Sequence, residues 1–152
     1  MVERSKEVEG GMDILRVDVR TGERQVVVSA SSLIEPGKSA SLRIEDYSFS
    51  ADGSLLLIYT SSRRVWRLNT RGDYWVYDIK SGRLKKLGGR FEPSSLMFAK
   101  FSPVSRKAAY VYRNNIYVED IDSSRVEQLT RDGSDTVIKK SLKRGHRTMS
   151  PF

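Results

Sequence analysis

The chain has 152 residues, with 27 Lys and Arg against 19 Asp and Glu and a formal net charge of +8. That length suits a single domain, and the absence of cysteine excludes disulfides, Cys-ligated zinc and thiol catalysis. The one histidine, His146, sits in a polar basic segment, which argues against a self-contained Ser-His-Asp hydrolase. No apolar run of about 18 residues is present, so no membrane-spanning helix is expected.

Charge is unevenly placed. Residues 139–152 contain Lys139, Lys140, Lys143, Arg144 and Arg147 and no acid, a local +5. The preceding 138 residues hold 22 basic and 19 acidic side chains, the near-balance of an ordinary solvated surface. Residues 1–12 are charged and lack the apolar core of a signal peptide. They read as a disordered N-terminus. A short helix near Ser31–Glu35 is the only helix the pattern suggests.

From residue 13 to 138 the pattern is one of short strands. Leu55-Leu-Leu-Ile-Tyr59 follows Asp52-Gly53, and Tyr74-Trp-Val-Tyr77 precedes Ser81-Gly82. Ala108-Ala-Tyr-Val-Tyr112 is joined to Ile116-Tyr-Val118 by Arg113-Asn114-Asn115, residues that suit a tight hairpin turn.

Two templates recur. Leu15-Arg-Val-Asp18-Val-Arg-Thr-Gly22, Trp75-Val-Tyr-Asp78-Ile-Lys-Ser-Gly82 and Tyr117-Val-Glu-Asp120-Ile-Asp-Ser-Ser124 each read as strand, Asp-initiated turn and second strand. A second template, around Phe49 and again around Phe101, precedes two of them, 52 positions apart. Asp78 and Asp120 are separated by 42 positions. Units of about 40–50 residues built of four antiparallel strands are the blades of a β-propeller. A single β-sandwich is the competing reading, and the recurrence of both templates in the same order favours the propeller. The fold class expected is therefore all-β: a partial β-propeller of about two four-stranded antiparallel blades, Tyr47–Leu87 and Met97–Thr130, plus an outer-strand remnant at Ile14–Val28. A propeller closes with 4–8 blades, so the chain reads as a fragment of one.

The phrase Arg63-Arg-Val-Trp-Arg67-Leu-Asn-Thr-Arg-Gly-Asp73-Tyr-Trp-Val-Tyr-Asp78 resembles the second-blade region of the dipeptidyl peptidase IV family of serine peptidases. The similarity continues through Ser95–Pro103, Ala109–Asp120 and Gln128–Ser134, covering about residues 13–138. Members of that family set an eight-bladed propeller over a C-terminal α/β-hydrolase domain and remove dipeptides from peptide N-termini, often after a penultimate proline. The resemblance implies one site residue. Arg67 matches the propeller arginine that reaches the active-site cavity and binds a substrate oxygen, and its always-charged planar fork suits fixing an acceptor.

Departures from the family are equally specific. After Ile138 the expected double-glutamate segment for the substrate amine is replaced by a basic stretch, and no Gly-x-Ser-x-Gly elbow occurs. Pro103-Val104-Ser105 stands where the family has a Pro-Asp-Gly turn. The reading is thus a truncated propeller region without catalytic residues, metal or cofactor. Its expected partners are a peptide substrate in the intact enzyme and a missing C-terminal hydrolase domain. The alternative is a non-catalytic propeller-type protein-interaction module. Residues 139–152 read as a disordered or out-of-frame tail, with nucleic-acid binding the weaker choice. Localisation is left open: the family is often periplasmic, secreted or membrane-anchored. Gly37-Lys38-Ser39 lacks the earlier glycine of a phosphate loop, and Arg71-Gly72-Asp73 reads as a turn between strands.

Overall fold

A computed structural model describes residues 1–6, 8–66 and 69–133, with the side chains of 65–70 left aside. Among the described residues, eleven strands form three antiparallel sheets. The first holds β1 (Val2–Arg4), β2 (Met12–Val17) and β3 (Arg24–Val28). The second is β4 (Asp46–Phe49), β5 (Leu55–Trp66), β6 (Asn69–Asp78) and β7 (Leu84–Lys86), in that spatial order. The third is β8 (Met97–Phe101), β9 (Lys107–Tyr112), β10 (Asn115–Asp120) and β11 (Val126–Gln128). Two four-stranded meanders, one after the other, are the two blades expected from the repeat, and the architecture is a partial β-propeller.

The middle sheet explains why its sequence looks more apolar than a half-exposed strand should. Leu56, Ile58, Trp75 and Tyr77 pack against Ile14, Val28 and Leu33 of the first unit. On the opposite face Leu55, Leu57 and Val76 pack against Ala108, Tyr110, Tyr112 and Ile121 of the third. Successive strand residues point to opposite faces, so a blade covered on both sides needs apolar side chains at consecutive positions. Leu55 to Ile58 are all buried. Each such side chain contributes about 1.5–3 kcal/mol of transfer free energy.

The Asp-initiated template forms the same turn three times. The Asp Oδ1 accepts the backbone N–H groups two and three residues on: Arg20 and Thr21 for Asp18, Lys80 and Ser81 for Asp78, Asp122 and Ser123 for Asp120. Four residues after the Asp the chain takes a positive φ, +71° at Gly22, +70° at Gly82 and +62° at Ser124. Glycine adopts that conformation without Cβ crowding, whereas Ser124 does so at some cost. The β9–β10 hairpin has positive φ at both Arg113 and Asn114, the twist-matched geometry of a two-residue loop.

Toward its N-terminus the structure departs from the sequence reading at two places. The stretch taken as a disordered N-terminus contains β1, which pairs Val2 with Ile14 and Arg4 with Met12. The remnant at Ile14–Val28 is accordingly a three-stranded sheet. Backbone pairing supplied this strand without any apolar alternation to announce it. The short helix near Ser31–Glu35 is a single 3-10 turn at Ala30–Leu33. Residues 139–152 lie outside the described residues.

Adjacent sheets are also joined by polar contacts. Arg106 of the third unit donates to Asp78 Oδ2 at 2.7 Å and to Asp122 Oδ2 at 2.9 Å. Lys85 on β7 meets Glu119 on β10 at 3.0 Å. Glu119 Oε2 accepts Gly88 N–H at 2.8 Å and the Tyr110 hydroxyl at 3.0 Å. This carboxylate is 2% exposed, so every one of its partners is needed to offset desolvation.

Candidate functional site

The longest strands of the molecule build its most distinctive feature. β4 pairs with β5 only as far as Asp46 opposite Tyr59. β5 and β6 continue together, through Thr60 opposite Asp73, Arg63 opposite Arg71 and Trp66 opposite Asn69. A β-hairpin arm therefore extends past the rest of its blade. Its ladder shifts register between Thr60 and Arg63, where Ser61 has a φ of +53°. A bulge re-aims the strands beyond it.

The root of the arm is clamped from three sides. Glu45, just before β4, accepts the Ser62 backbone N–H at 2.9 Å and the Ser62 hydroxyl at 3.0 Å. Ser94, in the connection to the next blade, donates its hydroxyl to Ser61 O at 2.7 Å and its backbone N–H to Asp73 Oδ1 at 2.8 Å. That carboxylate also meets Lys86 Nζ at 3.2 Å. Gly72 exchanges two backbone hydrogen bonds with Leu96, at 2.9 and 3.1 Å, so the arm is bridged directly to the following unit.

Beneath these contacts Tyr59 and Tyr74 face each other with ring centroids 4.8 Å apart. Tyr59 donates its hydroxyl to Arg71 O at 3.2 Å. Burial raises the Tyr59 phenol, with Glu45 adding to the shift, and burial raises Tyr74 further, so both remain neutral donors. A Cβ on residue 72 would lie 2.3 Å from Tyr59 Cε2 and 2.8 Å from Thr60 O, which is why glycine stands there.

A second polar group lines the connection that carries Ser94. Glu92 accepts from the Tyr112 hydroxyl and from Arg113. The Tyr112 hydrogen bond chiefly holds the Glu92 carboxyl below its usual range. Phe91 stacks on Tyr112 at 3.9 Å between centroids and meets Tyr117 edge-on. The hairpin root and this connection thus form one rigid rim. Such a rim can position a charged side chain, but its carboxylates are engaged with donors and none is paired with another for acid–base work. Among the described residues no group of His, Cys, Asp and Glu could hold a metal.

Arg67, the substrate-binding residue implied by the sequence, falls between the end of β5 and the start of β6 and lies outside the described residues. Arg71-Gly72-Asp73 is a correction. It lies within β6 rather than in a turn, with Gly72 bridged to Leu96 and Asp73 buried, which removes it as an exposed tripeptide. Gly37-Lys38-Ser39 is in a loop, as read, and Lys38 pairs with Glu35 at 2.6 Å. Glu45, Ser62, Ser94 and Lys86 were not singled out in the sequence. Nothing in it marks them, because the clamp joins positions 13 to 33 residues apart.

Comparison with known proteins bears directly on this arm. A family model described as the dipeptidyl peptidase IV (DPP IV) N-terminal region matches residues 50–141, which take in β5 through β11. The chain belongs to that family. Among its relatives, this DPP IV N-terminal region is 34% identical over 110 residues to dipeptidyl aminopeptidase B of Saccharomyces cerevisiae, covering 72% of the chain and 13% of the relative. Mouse prolyl endopeptidase FAP is 27% identical over 126 residues, covering 83% of the chain and 16% of that protein. The chain therefore spans about a sixth or less of the curated relatives it matches. The crystal structure of Porphyromonas gingivalis dipeptidyl peptidase 4 superposes with a TM-score of 0.68 at 23% identity, over 88% of this chain and 19% of that one. That likeness carries the propeller fold. No helix among the described residues is long and apolar enough to cross a membrane.

Proposed function

We propose that this chain supplies part of the propeller wall of a dipeptidyl-peptidase-IV-like serine peptidase. There it restricts access to the active-site cavity and orients bound peptide through Arg67. The observation that carries the reading is the family match over residues 50–141, which includes the whole β5–β6 arm and its phrase around Arg67. The clamped root supports it, because a binding group is only as well placed as the element beneath it. Peptide-bond chemistry then belongs to a hydrolase domain outside these 152 residues, since they contain no Gly-x-Ser-x-Gly and a single histidine. The basic stretch 139–152 replaces the family's glutamates for the substrate amine, so the chain by itself offers one half of peptide recognition.

Three measurements test this reading. The purified chain is expected to leave a Gly-Pro chromogenic amide intact, and turnover would refute the non-catalytic assignment. Arg67→Ala should weaken capture of a Gly-Pro peptide by the chain, and unchanged capture removes Arg67 from the site. Reading the encoding DNA past codon 138 in the other two frames should reveal a double-glutamate segment and later a Gly-x-Ser-x-Gly. Their absence from both frames would take away the truncated-peptidase reading.

A further inference from the structure

The β5–β6 arm contains a pairing that folding alone disfavours. Arg63 and Arg71 stand directly opposite one another in the antiparallel ladder. Directly opposed residues share a face, with Cβ atoms about 4.5–5.5 Å apart, and like charges at such positions are destabilising. Among the described residues neither arginine forms an ion pair with a carboxylate. Arg63 is exposed and Arg71 half-buried. The backbone beneath them is held rigidly: the Tyr59 hydroxyl binds Arg71 O, Glu45 binds Ser62, and Gly72 is bridged to Leu96. Repulsion is therefore not relieved by splaying the strands.

We propose that Arg63 and Arg71 form a carboxylate-binding fork that takes an acidic side chain of a bound peptide. This rests on the peptide-binding reading above and adds a preference for acidic residues to it. Two guanidinium groups at one register position present parallel donors that match the two oxygens of a carboxylate. Bound carboxylate also turns a repulsive cross-strand pair into a bridged one, so part of the affinity comes from relieving the fold.

The test compares two amidated peptides on the full 152-residue chain, Gly-Pro-Glu-Glu-Glu and Gly-Pro-Gln-Gln-Gln, by titration calorimetry. The glutamyl peptide should bind about threefold to tenfold more tightly, the range of exposed and half-buried ion pairs, and lose that advantage as salt rises. Arg63→Gln with Arg71→Gln should abolish the preference while leaving the glutaminyl peptide unaffected. Arg63→Glu, which sets an opposite charge against Arg71, should raise the melting temperature of the free chain. A preference that survives the double variant overturns the fork, as does a melting temperature that falls or stays put in Arg63→Glu. Inorganic phosphate binding as tightly as the glutamyl peptide would reduce the pair to a general anion site and overturn the peptide assignment. Equal binding of both peptides rejects the fork but leaves the peptide-binding reading standing. Binding of neither rejects that reading and the fork with it.

Discussion

Replacing Glu119 by alanine should be the most damaging single change to the joint between the two blades. Its Oε2 accepts the Gly88 backbone N–H at 2.8 Å and the Tyr110 hydroxyl at 3.0 Å. Its Oε1 lies 3.0 Å from Lys85 Nζ. Hydrogen bonds to a charged group contribute about 1.5–3 kcal/mol each, and removing one partner of a buried ion pair costs about 3–5 kcal/mol. Lys85 keeps the carbonyls of Asp120 and Ile121, at 3.1 and 3.3 Å, and its side chain is 16% exposed. The abandoned cation is thus partly compensated, which places the expected loss near the lower figure, about 3 kcal/mol. Against a typical domain stability of about 5–15 kcal/mol, that is a lowering of melting temperature by about 10 °C.

Urea unfolding followed by far-ultraviolet circular dichroism and tryptophan fluorescence measures the loss. A cycle with Lys85→Met then isolates the pair. The coupling between positions 85 and 119 should be about 1–3 kcal/mol, with the double variant less unstable than the sum of the singles. A Glu119→Ala loss under about 1 kcal/mol, or additive singles, would remove the Glu119–Lys85 pair from what holds the blades together.

Gly72→Ala should destabilise the fold by about 1–3 kcal/mol, because the new Cβ falls 2.3 Å from the Tyr59 ring. Backbone amide exchange at Leu96 should accelerate in the same variant, and an unchanged rate would dissociate the arm from the next blade. Acid should act through the turn carboxylates. Asp52 is lowered from 3.8 to about 2, first by the Ser54 backbone N–H and then by the Ser50 and Ser54 hydroxyls. Asp120 is lowered chiefly by the Ser123 N–H. Burial works against ionising Asp78, but Arg106 and the Ser81 and Lys80 amides outweigh it and lower its pKa. Folded pKa values below the unfolded ones mean stability that is complete above the unfolded carboxylate range and lost as pH falls toward about 2. A thermal-melting series should therefore decline below about pH 4, with Asp52→Asn giving a shallower decline. Equal slopes in the two proteins would remove Asp52 from the acid response.

The two blades and their turns were legible in the sequence because local chemistry dictates them. An Asp that binds its own backbone two and three residues on, followed by Gly or Ser at positive φ, closes a hairpin wherever it occurs. It does so at Asp18, Asp78 and Asp120 alike. The phrase Arg63–Asp78 likewise carries the family resemblance in the sequence itself, and it lies within the stretch that the family model matches. Other features belong to tertiary structure alone. β1 pairs with β2 through backbone hydrogen bonds, which a charged segment with no alternating apolar face does not advertise. Arg71-Gly72-Asp73 looks like a turn by composition, yet partners on β5 and at Leu96 hold it extended. The clamp of Glu45, Ser62, Ser94 and Asp73 and the opposition of Arg63 to Arg71 depend on strand register and on where the next blade lies. By itself the sequence determined the Asp-initiated turns and the blade strands they join, since the energies of those turns are local. Only the packed structure decided which distant polar groups meet, since that depends on how one blade is laid against another.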